Sequence, residues 1–159
     1  MAKKTNLNTQ KDENLGIGIT RIRTISFAVD EKVLVQEGEN NVNLTVNYTS
    51  FINLEQNGFS ISIKVILSNN ENPPKEFASI EVQTAFLIVD LSKYVHIDKH
   101  SKETKHYLPD DLIFLMVSLS LTHTRALLAA NIGNSTFPNI ILPIFGREWI
   151  EKELLLKHN

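Results

Sequence analysis

Residues 42–67 read VNLTVNYTSFINLEQNGFSISIKVIL. From Val42 the even positions Val42, Leu44, Val46 and Tyr48 are apolar, with Asn43, Thr45, Asn47 and Thr49 between them. That two-residue period is the mark of a strand with one buried face. From Phe59 the odd positions take over: Phe59, Ile61, Ile63, Val65 and Leu67. Between the two runs stands Asn57-Gly58, a pair that readily adopts the positive φ angles of a tight hairpin turn. The stretch therefore predicts a β-hairpin with one apolar face, and that face needs a cover.

Working outward, Ile17, Ile19, Ile25, Phe27 and Val29 share one parity upstream, with Arg21 and Arg23 interrupting the same face. Downstream, residues 68–76 (SNNENPPKE) have the composition of a connector, and alternation resumes at 77–89 with Ile80, Val82, Phe86 and Ile88. Four consecutive strands predict an antiparallel meander, a sheet that can keep one face wet. Residues 92–108 are polar and charged and read as a loop. Pro109 then stands where a helix should begin, with Asp110 and Asp111 beside it favouring the positive end of the helix dipole. The pattern runs to Asn131, with Gly133 as its cap. The first half, LIFLMVSLSL from Leu112, is apolar on nearly every side. Such a helix wants cover on two sides, and in so small a domain the second cover is another subunit. Leu112, Phe114, Leu115, Leu119 and Arg125 are the candidate interface. A last amphipathic helix from about Gly146 carries Trp149, Ile150, Leu154 and Leu155. The expected fold class is α+β: a four-stranded antiparallel meander packed on two C-terminal helices. Residues 1–15 read as a disordered polar tail and 16–159 as a single domain.

With 159 residues and 42% hydrophobic content, the chain supports one real core. It has no cysteine, which excludes a disulfide framework, a thiol nucleophile and a Cys-ligated zinc site, and points to the cytoplasm. The basic residues near the start are not followed by an apolar segment, so no secretory signal is expected. The longest apolar run is about half of what a membrane helix needs, so no membrane insertion is expected. A net charge of −2 lacks the basic footprint of a nucleic-acid binder.

Chemistry is sparse. His96, Asp98, His100 and His106 fall within eleven positions, but Lys99, Lys102 and Lys105 among them oppose a cation, and a solvated loop is the better reading. His123 stands between Thr122 and Thr124, yet no Gly-X-Ser-X-Gly elbow accompanies it. Gly16 and Gly18 precede a strand and lack the rest of a phosphate loop. The pairs Asp110/Asp111 and Glu151/Glu153 fit helix ends and wet faces rather than a convergent acid–base pair. No catalytic residue, metal site or cofactor is expected. Arg125, set in LTHTRALLAA, needs acceptors, and an ion pair or carbonyl cap across a subunit boundary is favoured over substrate recognition.

Several of these segments together carry a family likeness. His123-Thr124-Arg125 leads without a gap to Thr136-Phe137-Pro138 and then Ile140-Ile141-Leu142-Pro143, while Glu81-Val82-Gln83 and Arg21 to Phe27 (RIRTISF) stand upstream. In that order and spacing the chain resembles SecB, the bacterial protein-export chaperone family, over roughly residues 17–157. His123 stands where the family has tyrosine and Ser135 where it has glycine. The exposed strand parity offers Asn43, Asn47, Ser60, Lys64 and Glu81 rather than the family's acidic plate.

The resemblance implies an ATP-independent holdase: a homotetramer, built as a dimer of dimers, that binds unfolded or preprotein clients in apolar grooves and is not an enzyme. Phe51, Phe86, Phe137, Ile144, Phe145 and Trp149 are the candidate client-binding residues, and Glu81 is the candidate for docking the translocation motor SecA. Some SecB-like chaperones serve a toxin–antitoxin pair instead, which makes an antitoxin the alternative partner. Two readings from other classes stand beside these. One is a small enzyme or ligand-binding domain using His96, His100, His106 or His123; the other is an adaptor for one folded partner.

Overall fold

A computed structural model of the chain describes residues 16–33, 42–97, 104–106, 108–133, 135, 140 and 142–155. The predicted hairpin is formed by β2 (Val42–Asn53) and β3 (Gly58–Asn69), paired from Val42 opposite Asn69 to Asn53 opposite Gly58. Its turn is wider than a two-residue Asn-Gly turn. The Asn53 side chain accepts from the Gln56 N–H at 3.3 Å and caps a single 3₁₀ turn over Leu54–Gln56. Within this turn Asn57, at φ 48°, enters the left-handed region, where asparagine is among the best tolerated side chains. β3 then alternates as expected, with Phe59, Ile61, Ile63, Val65 and Leu67 fully buried.

β4 (Glu76–Ile88) pairs with β3 and buries Ile80, Val82, Phe86 and Ile88. Strands β2, β3 and β4 form a meander, but β1 (Ile17–Val29) does not continue it. The sheet order is β1-β4-β3-β2, so the first strand joins beside the last. Twelve residues lie between Val29 and Val42, and a connection of that length lets β1 reach the far edge.

β1 also departs from simple alternation. Register shifts between Ile19 and Arg21 and between Thr24 and Ser26 mark two bulges against β4. Each extra residue flips the faces. Arg21 and Arg23 therefore oppose Ala85 and Gln83 on the outer face, and the Arg23 guanidinium donates to Gln83 Oε1 at 3.0 Å. Ile22 and Phe27 oppose the buried Thr84 and Ile80 on the inner face. The arginines do not interrupt the inner face after all.

The segment read as a loop contains a short ribbon, β5 (Val95–Ile97) paired with β6 (Thr104–His106). Helix α1 (Asp110–Ile132) comes next, with Pro109 one residue before it, accepting from the Leu112 and Ile113 N–H groups. Gly133 ends it in right-handed geometry. Glycine serves here for room, because a Cβ would stand 3.1 Å from the Ala129 carbonyl oxygen. Along α1 the row Leu112, Met116, Ser120, Thr124, Leu128, Ile132 is buried. Its two hydroxyls donate one turn back, Ser120 to Met116 and Thr124 to Ser120, both at 2.8 Å, so the polar atoms are satisfied inside the core.

α1 packs chiefly on β4 and β3 and only lightly on β1. It is longer and more apolar than the run visible in the sequence, and meets the length and composition needed to cross a bilayer, with about a third of that window buried. Its seat on the sheet accounts for the buried row. The chain closes with α2 (Arg147–Ile150), which widens into a π-type turn over Glu151–Leu155 and buries Ile150 and Leu154. The architecture is α+β, a four-stranded antiparallel sheet carrying two helices.

Candidate functional site

Two clefts run along the flanks of α1. The first lies between the helix and the segment leading into α2. Ser118, Leu121, Thr122 and Arg125 share one helical face at spacings of three and four residues. Pro143, Ile144, Phe145 and Ile150 close the opposite side, around a cavity of about 160 Å³. Ile144 is 81% exposed, more than any other large hydrophobic side chain among the described residues. Phe145 is half-buried and stacks on Trp149, ring centroids 4.1 Å apart at 25°.

The wall is pinned to the start of α1. The Arg147 guanidinium donates to Asp111 Oδ1 and to Glu151 Oε1, both at 2.7 Å, and lies 4.9 Å from the centroid of the Phe114 ring. These carboxylates raise the Arg147 pKa, Asp111 first. The pairs are mostly solvent-exposed, so their role is orientation more than stability.

Polar atoms within this first cleft are treated unequally. Thr122 Oγ1 donates to the Ser118 carbonyl at 2.9 Å. Ser118 Oγ is buried and has no partner among the described residues. Arg125, half-buried, has neither an ion pair nor a hydrogen bond among them.

The second cleft lies between β1 and α1, where Ile22, Arg23, Thr24, His123, Ala126 and Leu127 enclose about 450 Å³. It exists because α1 leaves the inner face of β1 uncovered, with Ile19 at 44%, Ile22 at 42% and Phe27 at 36% exposure. At its base His123 Nδ1 and Thr84 Oγ1 share a hydrogen bond of 3.2 Å. Burial holds the imidazole pKa below its ordinary value.

The residues singled out in the sequence scatter. Ile144, Phe145 and Trp149 meet at the first cleft. Phe86 is 1% exposed within the core and forms no wall, because its parity on β4 points it under the helix. Phe51, exposed, lies opposite Ser60 near the far end of β2, away from both clefts. Phe137 lies outside the described residues. Of the interface candidates, Leu112 is buried in the core, Phe114 and Leu119 are half-buried, and Leu115 is 44% exposed. Arg125 lines the first cleft.

Ser118, Leu121, Thr122 and Ile150 were not singled out as site residues. The helical spacing of the first three with Arg125 was the available signal. Ile22 was hidden by the bulges.

Glu81 sits on the outer face, opposite Lys64 in register, and accepts from Ser62 Oγ at 2.7 Å. With Arg21, Arg23 and Lys64 nearby, that face is not an acidic plate. The side chains of His96, His100 and His106 lie outside the described residues. Among those described, no three His, Cys, Asp or Glu side chains gather as a metal site.

No family model matches the chain, and no curated protein is similar to it in sequence. Solved structures are. A SecB-like chaperone from Mycobacterium tuberculosis, in complex with a ChAD peptide from the HigA1 antitoxin, is 13% identical over 82% of this chain and 88% of its own, with a TM-score of 0.53. At that identity the likeness establishes the fold, which is SecB-like. A Streptococcus agalactiae protein of unknown function is also 13% identical, over 81% of this chain and 98% of its own. Its TM-score of 0.40 carries no argument.

Proposed function

We propose that the protein is a nucleotide-independent holdase chaperone that captures unfolded polypeptide in the first cleft, between α1 and the segment leading into α2. The observation that carries this reading is Ile144. A large aliphatic side chain held 81% exposed beside a stacked aromatic pair, on the rim of an apolar cavity, is placed to meet something other than its own core. Each client side chain buried there contributes roughly 1.5–3 kcal/mol before ordering costs. Several such anchors hold an unfolded segment, while a folded protein, its apolar groups already hidden, offers none. No cofactor takes part, and the protein acts in the cytoplasm.

The uncovered inner face of β1 and the exposed Leu115 supply the surfaces for self-assembly into a homotetramer. Leu119 and Phe114, both half-buried on α1, border that seam. The mixed charge around Glu81 makes motor docking the weaker outcome. A dedicated client, such as the antitoxin of a toxin–antitoxin pair, fits a chain whose fold matches a chaperone solved with an antitoxin peptide.

The test is suppression of aggregation of a chemically denatured protein, without ATP, at stoichiometric amounts, with particle mass measured in parallel. Suppression by a particle near four chains supports the proposal. A monomer that leaves aggregation untouched sinks it, and metal retained through purification with turnover of any substrate would favour the histidine-based alternative.

A further inference from the structure

We infer that the first cleft selects client segments in which a carboxylate lies within about two residues of a leucine-sized or aromatic side chain. This deepens the holdase reading and rests on it. The size of the anchor follows from the cavity, whose volume of about 160 Å³ is close to that of an apolar cavity able to take up a benzene ring. Leu121, Phe145 and Ile150 supply its apolar lining.

The carboxylate follows from Arg125. It lines the same cavity, and among the described residues no lining side chain is acidic and Arg125 has no acceptor. The other arginine of this region, Arg147, has two carboxylates of its own at 2.7 Å. A guanidinium presents a planar fork that matches a carboxylate through two parallel N–H···O bonds, and the apolar surroundings strengthen such a pair once a client excludes water. The spacing follows from helix geometry. Leu121 and Arg125 are separated by four residues, about 6 Å along the axis, which an extended client spans in about two residues.

Ser118 supplies the second polar contact. Its buried hydroxyl, unlike those of Ser120, Thr122 and Thr124, has no carbonyl to donate to. The hydroxyl is closed to solvent as it stands, and rotation about χ1 turns it into the cleft, where a client backbone carbonyl accepts from it. That contact is blind to client sequence, whereas Arg125 reads a side chain.

The experiment uses the full chain and fluorescein-labelled unstructured peptides of equal length. They differ only in carrying Glu, Gln or Lys two residues from a single Phe. Fluorescence anisotropy gives the dissociation constants. Wild type should bind the Glu peptide roughly tenfold more tightly than the Gln peptide, the low end for a charge-assisted contact, and the Lys peptide most weakly. Arg125→Gln should erase the difference by weakening the Glu peptide alone, and Arg125→Lys should restore part of it. Ser118→Ala should weaken all three peptides by a similar small factor without lowering the melting temperature, since it removes a buried hydroxyl that lacks a partner.

Equal affinity of wild type for the Glu and Gln peptides overturns the selectivity and leaves the holdase reading standing. Failure to bind any peptide overturns both. A changed particle mass for Arg125→Gln, with unchanged peptide preference, makes Arg125 a subunit-seam residue and overturns its role here. Unchanged affinities for Ser118→Ala overturn the backbone contact.

Discussion

Strands β3 and β1 are made of the same kinds of residue and meet opposite fates. On β3, Phe59, Ile61, Ile63, Val65 and Leu67 are each at most 1% exposed. On β1, Ile19, Ile22, Ile25 and Phe27 remain 36–44% exposed in the same sheet. The difference is cover: α1 lies over β3 and β4 and barely reaches β1. The same contrast recurs at the C-terminus, where Ile150 is 1% exposed and Ile144 is 81% exposed. Composition alone does not separate a core from a binding surface; the element packed on top does.

Substitutions on the two sides of this divide should therefore fail differently. Ile63→Ala, inside the sealed region, should cost about 2–5 kcal/mol of stability, read as a fall in denaturant midpoint, and lose holding only because fold is lost. Ile144→Asp should abolish or strongly reduce aggregation suppression while moving the melting temperature by no more than a surface change does, within about 0.5 kcal/mol. A matched loss of fold in Ile144→Asp would erase the distinction. Ile22→Lys, on the uncovered face of β1, should lower the particle mass seen by light scattering with intact secondary structure. An unchanged mass would show that β1 faces clients or solvent rather than a second copy.

Much of the closed region was legible in residue order. The hairpin and the inner face of β4 follow from local periodicity, which depends on neighbours two residues away, and the span of α1 follows from Pro109 with its acidic neighbours at one end and Gly133 at the other. The pairing of β1 with β4 is a contact between distant segments, and no local period encodes it. The bulges at Thr20 and Ile25 defeated the parity of β1, because each inserted residue moves every later side chain of the strand to the other face. The ribbon β5–β6 was hidden by its polar composition.

The candidate cleft was legible only in part. Ile144, Phe145 and Trp149 stood out because they come directly after a proline-broken apolar segment. Phe86 and Phe51 have the same composition and different surroundings. One is sealed under α1 and the other lies on the outer face of an edge strand.

The smallest expected effect concerns the second cleft. Burial depresses the His123 pKa in the folded chain, while the unfolded chain keeps about 6.5. Above that value the imidazole is neutral in both states and contributes no pH dependence. As pH falls below it, the unfolded chain takes up the proton first and the folded state loses relative stability. Melting temperature measured from pH 7.5 downward to about pH 5 should therefore carry a His123-dependent decline that His123→Gln flattens. An identical profile in the variant would mean that the imidazole is as well solvated folded as unfolded.

The most direct test of the proposed client site is photo-crosslinking. An unfolded client bearing a photoactivatable side chain is held by the full-length protein, irradiated, digested and mapped by mass spectrometry. Adducts are expected on Ile144, Phe145 and the Leu121–Arg125 face of α1, lost on competition with unlabelled client. Adducts confined to the outer sheet face around Phe51 and Glu81, with the flanks of α1 unmarked, would contradict it.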